Sequence, residues 1–373
     1  MGDDGAITVG TVARALDHRF PVAWAEPWDR VGLIAGDSAV QVRTSLVTLD
    51  ATAEAITRAH ELGAQLLVTH HPPYLEPPAR ITPGPGPDGA LEAAIRRGIA
   101  VISMHTNLDR SPEGAGALPA LLGLEADAPL ESGVEGIALI ITYAPQSAGE
   151  GLIDAMSAAG AGRLGSYEGC AFASAGTGRF RALDGASPVV PDVGQGIDEV
   201  RIEMVCPRDR AGEVLSAARE AHPYEEPVLL AVDGVRARGS ARLGRVCTWS
   251  GGATLGELAS HVSRTLDAPV RVWGDDARPV QRIAVANGSA GSLVPSAKAM
   301  ADVLVAGEVR YHDALSAASS GLAIIEAGHD VTEWPLVEVL ATALKEVAPA
   351  ALNVRADERV RLWRTMEGTY DRG

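Results

Sequence analysis

The feature that most constrains the fold is an alternation of short apolar runs with amphipathic, helix-like stretches. Within residues 43–125, the helix-like stretches ATAEAITRAHELG and GALEAAIRRG separate the apolar runs TSLVTL, QLLVT and IAVISM. Continuous apolar runs of this length, separated by such stretches, are typical of a mainly parallel sheet covered by helices. The alternation returns after residue 243. The sequence therefore predicts an α/β body with a mainly parallel sheet layered with helices.

The middle of the chain has a different pattern. Apolar strand-like runs and helix-like runs follow one another there, with a glycine-containing stretch that predicts a hairpin turning at Gly176 to Gly178. Helices that flank paired strands are typical of a small α+β module of ferredoxin-like type. We therefore expect residues 1–129 and 237–373 to form one body, interrupted by an insert at 130–236.

Composition and charge exclude several classes of function. The chain has 373 residues, 46% of them apolar, and a formal net charge of −16. A negative field of this size disfavours binding to nucleic acid or to an anionic membrane, and no basic patch opposes it. The first twenty residues lack a signal-peptide pattern, and no apolar run approaches the roughly 20 residues that span a bilayer. These features predict a cytoplasmic protein that binds neither nucleic acid nor a membrane.

Residues that commonly bind metals follow three of the apolar runs, at the point where each run ends. In open α/β sheets, the carboxyl ends of the strands form the ligand crevice, so these side chains are expected to converge. Three imidazoles and two carboxylates suit one or two divalent transition metals, with zinc, iron, manganese and cobalt all open. The predicted ligands are His70, His71, Asp109, His329 and Glu333.

Each of these motifs also has a structural interpretation. Asp109 alone could cap a helix, and a His–His pair alone is more often incidental; only the three motifs together favour a metal site. Pro335 is expected in a first helical turn. The pattern then predicts a helix that starts near Thr332, with Glu333 at its start and His329 in the preceding loop.

Other polar residues are weaker candidates. His105 could be a proton shuttle or an outer partner of a ligand, and a buried structural histidine is an equal alternative. The loop NGSAGS, which contains Ser289, could hold an anion at a helix start, although a plain strand–helix turn is the better interpretation. The stretch GEVRYHDA ends another strand at the same crevice and offers Glu308, Arg310, Tyr311 and His312.

One further motif, AEPWDRVGL, contains Trp28 and Asp29. For these two residues, packing and helix capping are a better interpretation than catalysis.

On these motifs the chain resembles the Nif-three-like family of dinuclear metal-centre proteins, some of which are named GTP cyclohydrolase I type 2 homologues. The resemblance rests on EPWDRVGL, LLVTHHPP, HTNLD, GSAGSL, GEVRYHDA and GHDVTE, in the family order. It implies that the five predicted ligands hold two metal ions per chain, and that the protein forms a toroidal homohexamer around a cavity. The insert, with AHPYEEPV, resembles the PII/CutA-like insert of the longer members.

The chain departs from the family pattern at three places. Arg30 stands where the family more usually has Asn, Glu308 where it has Asp, and Ala286–Asn287 where it has a Gly–Gly pair. We expect none of these residues to touch a ligand, although each could alter the substrate pocket.

Two functions remain open. The first is a metal-dependent hydrolase, similar to a GTP cyclohydrolase I type 2, that acts on a nucleotide-like or phosphorylated small molecule. In it His105 or His312 would carry a proton, and Arg310, Tyr311 and Ser289 would bind substrate. The second is a regulatory or binding protein whose insert senses a metabolite. An open coordination position favours the enzyme and a closed shell favours the binder.

Overall fold

The computed structural model describes residues 7–165, 167–189, 196–251 and 254–356. The outer ends of the predicted body, residues 1–6 and 357–373, lie outside the described residues. The chain divides into two compact units. We call the unit formed by the segments up to Ser132 and from Ser240 the body, and the unit Gly133–Gly239 the insert.

Among the described residues, five strands form the first sheet of the body. Its order is β1-β4-β3-β2-β15, with β1 antiparallel to β4 and the other three pairs parallel. Every residue of β3 and of β4 is buried, as continuous apolar runs covered on both faces require. The strands are β1 Gly32–Ala35, β2 Thr44–Thr48, β3 Leu66–Thr69, β4 Ala100–Ser103 and β15 Leu352–Arg355.

Six further described strands form the second sheet, in the order β11-β14-β13-β12-β10-β5. Only the pairs β12–β13 and β13–β14 are parallel. The body thus differs from the single, mainly parallel sheet expected, because an apolar run reports burial on both faces but not strand direction. The strands are β5 Glu125–Pro129, β10 Arg245–Thr248, β11 Arg271–Trp273, β12 Arg282–Val285, β13 Val303–Ala306 and β14 Ala323–Glu326.

Helices cover both sheets of the body. The longest described one, α11, packs Leu336, Val337 and Leu340 against Val68 of β3 and Ile102 of β4. Burial of each such side chain contributes roughly 1.5–3 kcal/mol, which fixes the start of α11 near the ends of these strands. The helices are α1 Val9–Arg19, α2 Ala53–Glu61, α3 Pro87–Arg96, α4 Thr106–Arg110, α5 Pro112–Leu121, α8 Leu255–Leu266, α9 Val294–Met300, α10 Tyr311–Ser319 and α11 His329–Val347.

The insert has its own sheet and core. Its elements follow the order strand, helix, strand, strand, helix, strand, and the sheet order β7-β8-β6-β9 is antiparallel throughout. Side chains of both helices share one buried cluster with β6 and β8. The elements are β6 Val134–Pro145, α6 Gly149–Ala158, β7 Ala171–Gly178, β8 Ile197–Pro207, α7 Ala211–Ala221 and β9 Leu229–Ala237.

The predicted hairpin turn at Gly176 to Gly178 is wrong. Both glycines continue β7, where Gly176 pairs with Glu199 of β8 and Gly178 pairs with Ile197. Glycine is compatible with an extended strand, and here the carboxylate of Glu199 occupies the space over Gly178 that a Cβ would need. In the described part of the chain, no helix is both long and apolar enough to cross a membrane.

Candidate metal centre

The predicted ligands meet in the body, where β3, β4 and β14 end. His70 and His71 directly follow β3, and α4, which begins three residues after β4, carries Asp109. His329 lies three residues after β14, at the start of α11. The carboxyl ends of parallel strands therefore bring the predicted ligands from both sheets to one place, as the strand-end argument expects.

The start of α11 differs from the prediction. The helix begins at His329 rather than near Thr332, and Pro335 lies inside it. Proline lacks the N–H that would bond to the carbonyl four residues earlier, but the buried contacts of the helix outweigh one lost hydrogen bond. His329 and Glu333 are therefore one helical turn apart on one face.

The carboxylate of Glu333 lies among three histidines. Its Oε2 is 2.8 Å from Nε2 of His71 and 3.1 Å from Nε2 of His329. Its Oε1 is 3.7 Å from Nε2 of His70, which is also 3.7 Å from Oδ2 of Asp109. Two groups that could hold a metal ion therefore share Glu333, one with His71 and His329, the other with His70 and Asp109.

Two buried atoms of this cluster have no hydrogen-bond partner. They are Nε2 of His70 and Oε2 of Glu333. A buried polar atom without a partner costs about 1–3 kcal/mol, so native proteins rarely keep one without a function. A divalent cation would satisfy both atoms, because each offers a lone pair. The residues present therefore fit a metal centre.

Each histidine near the centre is oriented by a partner on its outer side. Carbonyl and carboxylate oxygens only accept hydrogen bonds, so Nδ1 of each ring carries the proton and Nε2 keeps its lone pair for a metal. The Nδ1–H groups donate to Met104 O from His70 (2.9 Å), to Asp50 from His71 (2.8 Å), to Asp29 from His105 (2.8 Å) and to Glu308 from His329 (3.1 Å).

Without metal, His71 and His329 hold a proton more tightly than a free histidine does, because carboxylates lie close to both rings. Burial opposes protonation of His71, but Asp50 and Glu333 together raise its pKa to about 10. Burial also opposes protonation of His329, and Glu333 with Glu308 raises its pKa to about 9. The pKa of Glu333 lies well below its usual range despite burial, because the three histidines stabilise the carboxylate. Metal binding must therefore displace protons.

The pKa of Asp109 moves in the opposite direction. Burial raises it above the usual range of an aspartate, and the neighbouring His70 only partly opposes that effect. A cation at this position would stabilise the charged carboxylate, so Asp109 is suited to act as a ligand.

His105 and Asp29 form a pair next to the centre. His105, with His70 and His71, makes a third group of donor atoms that could hold a metal ion. Asp29 is buried and accepts hydrogen bonds from His105, from Thr106 N (3.0 Å) and from the Thr106 hydroxyl. Burial opposes its charged form, but these bonds lower its pKa to about 2. The expected capping role of Asp29 is present, at the start of α4.

The expectation that the departures from the family pattern touch no ligand is wrong for two residues. Glu308 accepts the Nδ1–H of His329, at 3.1 Å. The Nδ2 amide of Asn287 donates to Oδ1 of Asp109 at 3.4 Å and to the carbonyl of Gly114 at 3.2 Å. Sequence reasoning also missed Asp50, which lies two residues after the end of β2, as His71 lies two residues after the end of β3.

Two glycines let the chain approach the centre closely. Gly288 has a φ of +53°, and a Cβ there would lie 2.0 Å from Oε1 of Glu333. A Cβ on Gly307 would lie 2.6 Å from the carbonyl of Gly288 and 2.7 Å from Oγ1 of Thr332. A side chain at Gly288 would displace the carboxylate of Glu333, and one at Gly307 would also meet the backbone of His329 at the start of α11. In the sequence, the glycines of NGSAGS and AGEVR were the features that could have indicated this close approach of the backbone.

The predicted substrate residues lie on an exposed surface of the body. Ser289 pairs with Glu308 in a backbone bridge. Arg310 is highly exposed, with an ion pair to Asp313 of 2.9 Å. The ring of Tyr311 contacts those of Trp273 and His312, with centroids 5.7 and 5.3 Å away. Among the described residues, the groups that could hold a metal include His105 but not His312.

Comparison with curated proteins gives relatives over most of the chain. A "GTP cyclohydrolase 1 type 2 homolog" from Mycobacterium leprae is 35% identical over 356 residues, which cover 92% of this chain and 91% of the relative. A protein of the same name from Bacillus subtilis is 33% identical over 324 residues, 85% of this chain and 87% of the relative.

A solved structure and a family model agree with these relatives. A Bacillus cereus protein related to NIF3 has a TM-score of 0.66 and 29% identity, with 97% of this chain and 100% of that chain covered. The family model Duf34/NIF3 (NGG1p interacting factor 3) matches residues 7–358. The resemblance inferred from the motifs is confirmed: the chain belongs to the Duf34/NIF3 family.

Proposed function

We propose that the protein is a metal-dependent hydrolase with a dinuclear centre. The observation that carries the proposal is the shared position of Glu333, whose two oxygens face different sets of ligands. His71 and His329 would hold one ion with Oε2, and His70 with Asp109 would hold the other near Oε1. Two divalent ions per chain, of zinc, iron or manganese, suit this mixture of imidazole and carboxylate.

The bound ions would supply Lewis-acid chemistry, lowering the pKa of water and polarising the bond to be broken. His105 is the best proton carrier among the described residues, because Asp29 holds its Nδ1–H and its ring lies next to those of His70 and His71. His312 is the second candidate for this role. It contacts Tyr311 and would act only on a substrate that reaches α10.

We propose a nucleotide-like or phosphorylated small molecule as substrate. The relatives are named as homologues of a GTP cyclohydrolase, which supports a nucleotide. Arg310 offers a guanidinium to a phosphate, and Tyr311 and Ser289 lie on the same exposed surface of the body. A cyclohydrolase reaction would require attack of water on a purine ring carbon.

The remaining parts of the proposal concern the assembly. The sequence predicts a ferredoxin-like, PII/CutA-like module at residues 130–236, and the strand order and two helices of the insert, Gly133–Gly239, support that proposal. We propose a cytoplasmic homohexamer of such chains. A second candidate function, a metal-dependent regulatory or binding protein, is supported by the separate core of the insert, which could sense a metabolite.

The test is the metal content, measured by mass spectrometry, of untagged protein purified without chelators. We expect about two transition-metal ions per wild-type chain and a clear reduction in Glu333→Ala. Glu338→Ala is the matched control, because Glu338 lies on the same helix with an exposed ion pair to Arg355. Fewer than about half an ion per chain, with no gain when metal is added back, would contradict the proposed metal centre.

The same variants separate the enzyme from the binder. The reloaded wild type and Glu338→Ala should hydrolyse phosphoesters, and Glu333→Ala should not while its oligomer persists. A metal-loaded wild type that hydrolyses nothing in a broad substrate panel would favour the regulatory protein.

A further inference from the structure

Trp28 is a large apolar side chain that stays exposed next to the candidate metal centre. Trp28 is 53% exposed, and its ring lies 6.0 Å from that of His105 at an interplanar angle of 72°. The ring of His105 lies 5.1 Å from that of His70 and 5.5 Å from that of His71. An edge-on contact with His105 covers at most one face of the indole. Trp28 therefore stands one side chain outside the centre.

The segment that carries Trp28 is held on both sides by α4. Before it, the N–H of Glu26 donates to the hydroxyl of Thr106 (2.9 Å), and its carboxylate accepts from Arg110 (2.7 Å). After it, Asp29 accepts from Thr106 and His105. The exposure of Trp28 is thus built into a fixed segment. A fixed aromatic group loses little conformational freedom when a ligand binds to it.

We propose that Trp28 is a platform on which a flat heteroaromatic ring of the substrate stacks beside the metal centre, an inference that rests on the proposed hydrolase function. An indole face binds planar rings of many kinds, and a nucleobase is the ring that a nucleotide-like substrate would present. Stacking at Trp28 would place the ring outside His105 and the rest of the substrate toward His70 and His71.

The experiment compares two ligands that differ in the ring. Guanosine 5′-monophosphate and ribose 5-phosphate are titrated calorimetrically into the full chain loaded with zinc and, separately, with manganese. Trp28→Ala should weaken nucleotide binding roughly tenfold, the loss typical of one stacking partner, and leave ribose 5-phosphate binding unchanged. Trp28→Phe should retain most of the affinity, because a ring remains.

Ile95→Ala is the matched control. Ile95 is 52% exposed, close to the value for Trp28, but it lies far from the centre. It is near the end of α3, which leads into the start of β4, whereas the centre lies where β4 ends. This variant should bind both ligands as the wild type does. Four results would overturn the platform: no nucleotide binding by the wild type, no loss in Trp28→Ala, equal loss for both ligands, or a changed oligomeric mass of Trp28→Ala.

These results are separable from the failure of the proposed function. If nucleotide binding depends on Trp28 but no phosphoester is hydrolysed, the platform stands and the hydrolase does not. If hydrolysis depends on Glu333 while nucleotide binding is insensitive to Trp28, the hydrolase stands without this platform.

Discussion

The candidate metal centre can be divided by the elements that supply its residues, into a first-sheet half (His70, His71 and Asp109) and an α11 half (His329 and Glu333). The two halves differ in how firmly their histidines are held. His70, from the first sheet, is fully buried and donates to the buried carbonyl of Met104. His329, at the start of α11, has a side chain that is 37% exposed, and its partner Glu308 is 58% exposed. A hydrogen bond away from water is stronger than the same bond in water, so the first half is more rigid. We infer that the first sheet positions the centre and that the α11 half adapts.

Removal of one ligand from each half gives the largest expected effect. We expect His70→Ala to lose more metal affinity than His329→Ala, because water can replace an exposed ligand more easily than a buried one. Both losses should exceed the roughly 10–100-fold typical of outer partners. Competition with a coloured chelator measures the affinities. Thermal unfolding of both metal-free variants provides the control, since a collapsed fold would also lose metal. Equal losses from two folded variants would contradict the comparison.

The outer partners sharpen the same comparison with a smaller effect. Asp50 holds His71 at 2.8 Å on the first-sheet side, and Glu308 holds His329 at 3.1 Å on the other. We expect Asp50→Ala to reduce metal affinity by roughly 10–100-fold and Glu308→Ala to lie at the low end of that range. The absorption spectrum of bound cobalt should change more in Asp50→Ala. A larger change in Glu308→Ala would assign the rigid half to α11.

The predicted ligands and their hydrogen-bond partners differ in how far the sequence could predict them. The convergence of the five predicted ligands could be predicted, because their residue types occur where apolar strands end, and strand ends are visible in a single sequence. Their partners were not, because Asp50 and Asp29 lie far from the histidines in sequence and reach them only through strand order. The division of the body into two sheets could not be predicted for a related reason, since an apolar run does not show which strand will lie next to it.

The start of α11 shows a different limit. A proline favours the first turn of a helix, and that local rule places the helix start near Thr332. Packing of the helix against the first sheet outweighs the rule, so that Pro335 lies inside the helix. This error affected the geometry expected at His329 but not its place among the residues that could hold a metal.

Replacement of Glu326, at the end of β14 just before α11, should have a smaller effect, on the free energy of unfolding rather than on metal affinity. Burial opposes its charge, but bonds from Arg271, the N–H of Val309 and Trp273 hold its pKa below the usual range of a glutamate. Its contribution is therefore present above the unfolded pKa, about 4.3, and is lost as the pH falls through the lower folded pKa. We expect Glu326→Gln to lower the free energy of unfolding by about 1–2 kcal/mol at pH 7.

Denaturant unfolding of the wild type and Glu326→Gln at several pH values measures this difference. It should narrow as the pH falls below the unfolded pKa, because the wild-type carboxyl then becomes neutral as well. A difference that stays constant down to low pH would mean that the shape of the side chain, rather than its charge, supports the loop before α10. The α11 half would then be held by packing, which would weaken the contrast between the halves.

Asn287 should have the smallest effect and tests whether the rigid half needs every contact. Its amide joins Asp109 to the carbonyl of Gly114, so it limits the positions that Asp109 can take. The bond to Asp109 is long, at 3.4 Å, and a hydrogen bond of this length is weak. We expect Asn287→Gly to weaken metal binding by less than about tenfold, below the range of a close outer partner. Asn287→Ser, which keeps a donor, should lie between. A loss as large as that of Asp50→Ala would mean that Asp109 is held chiefly by Asn287.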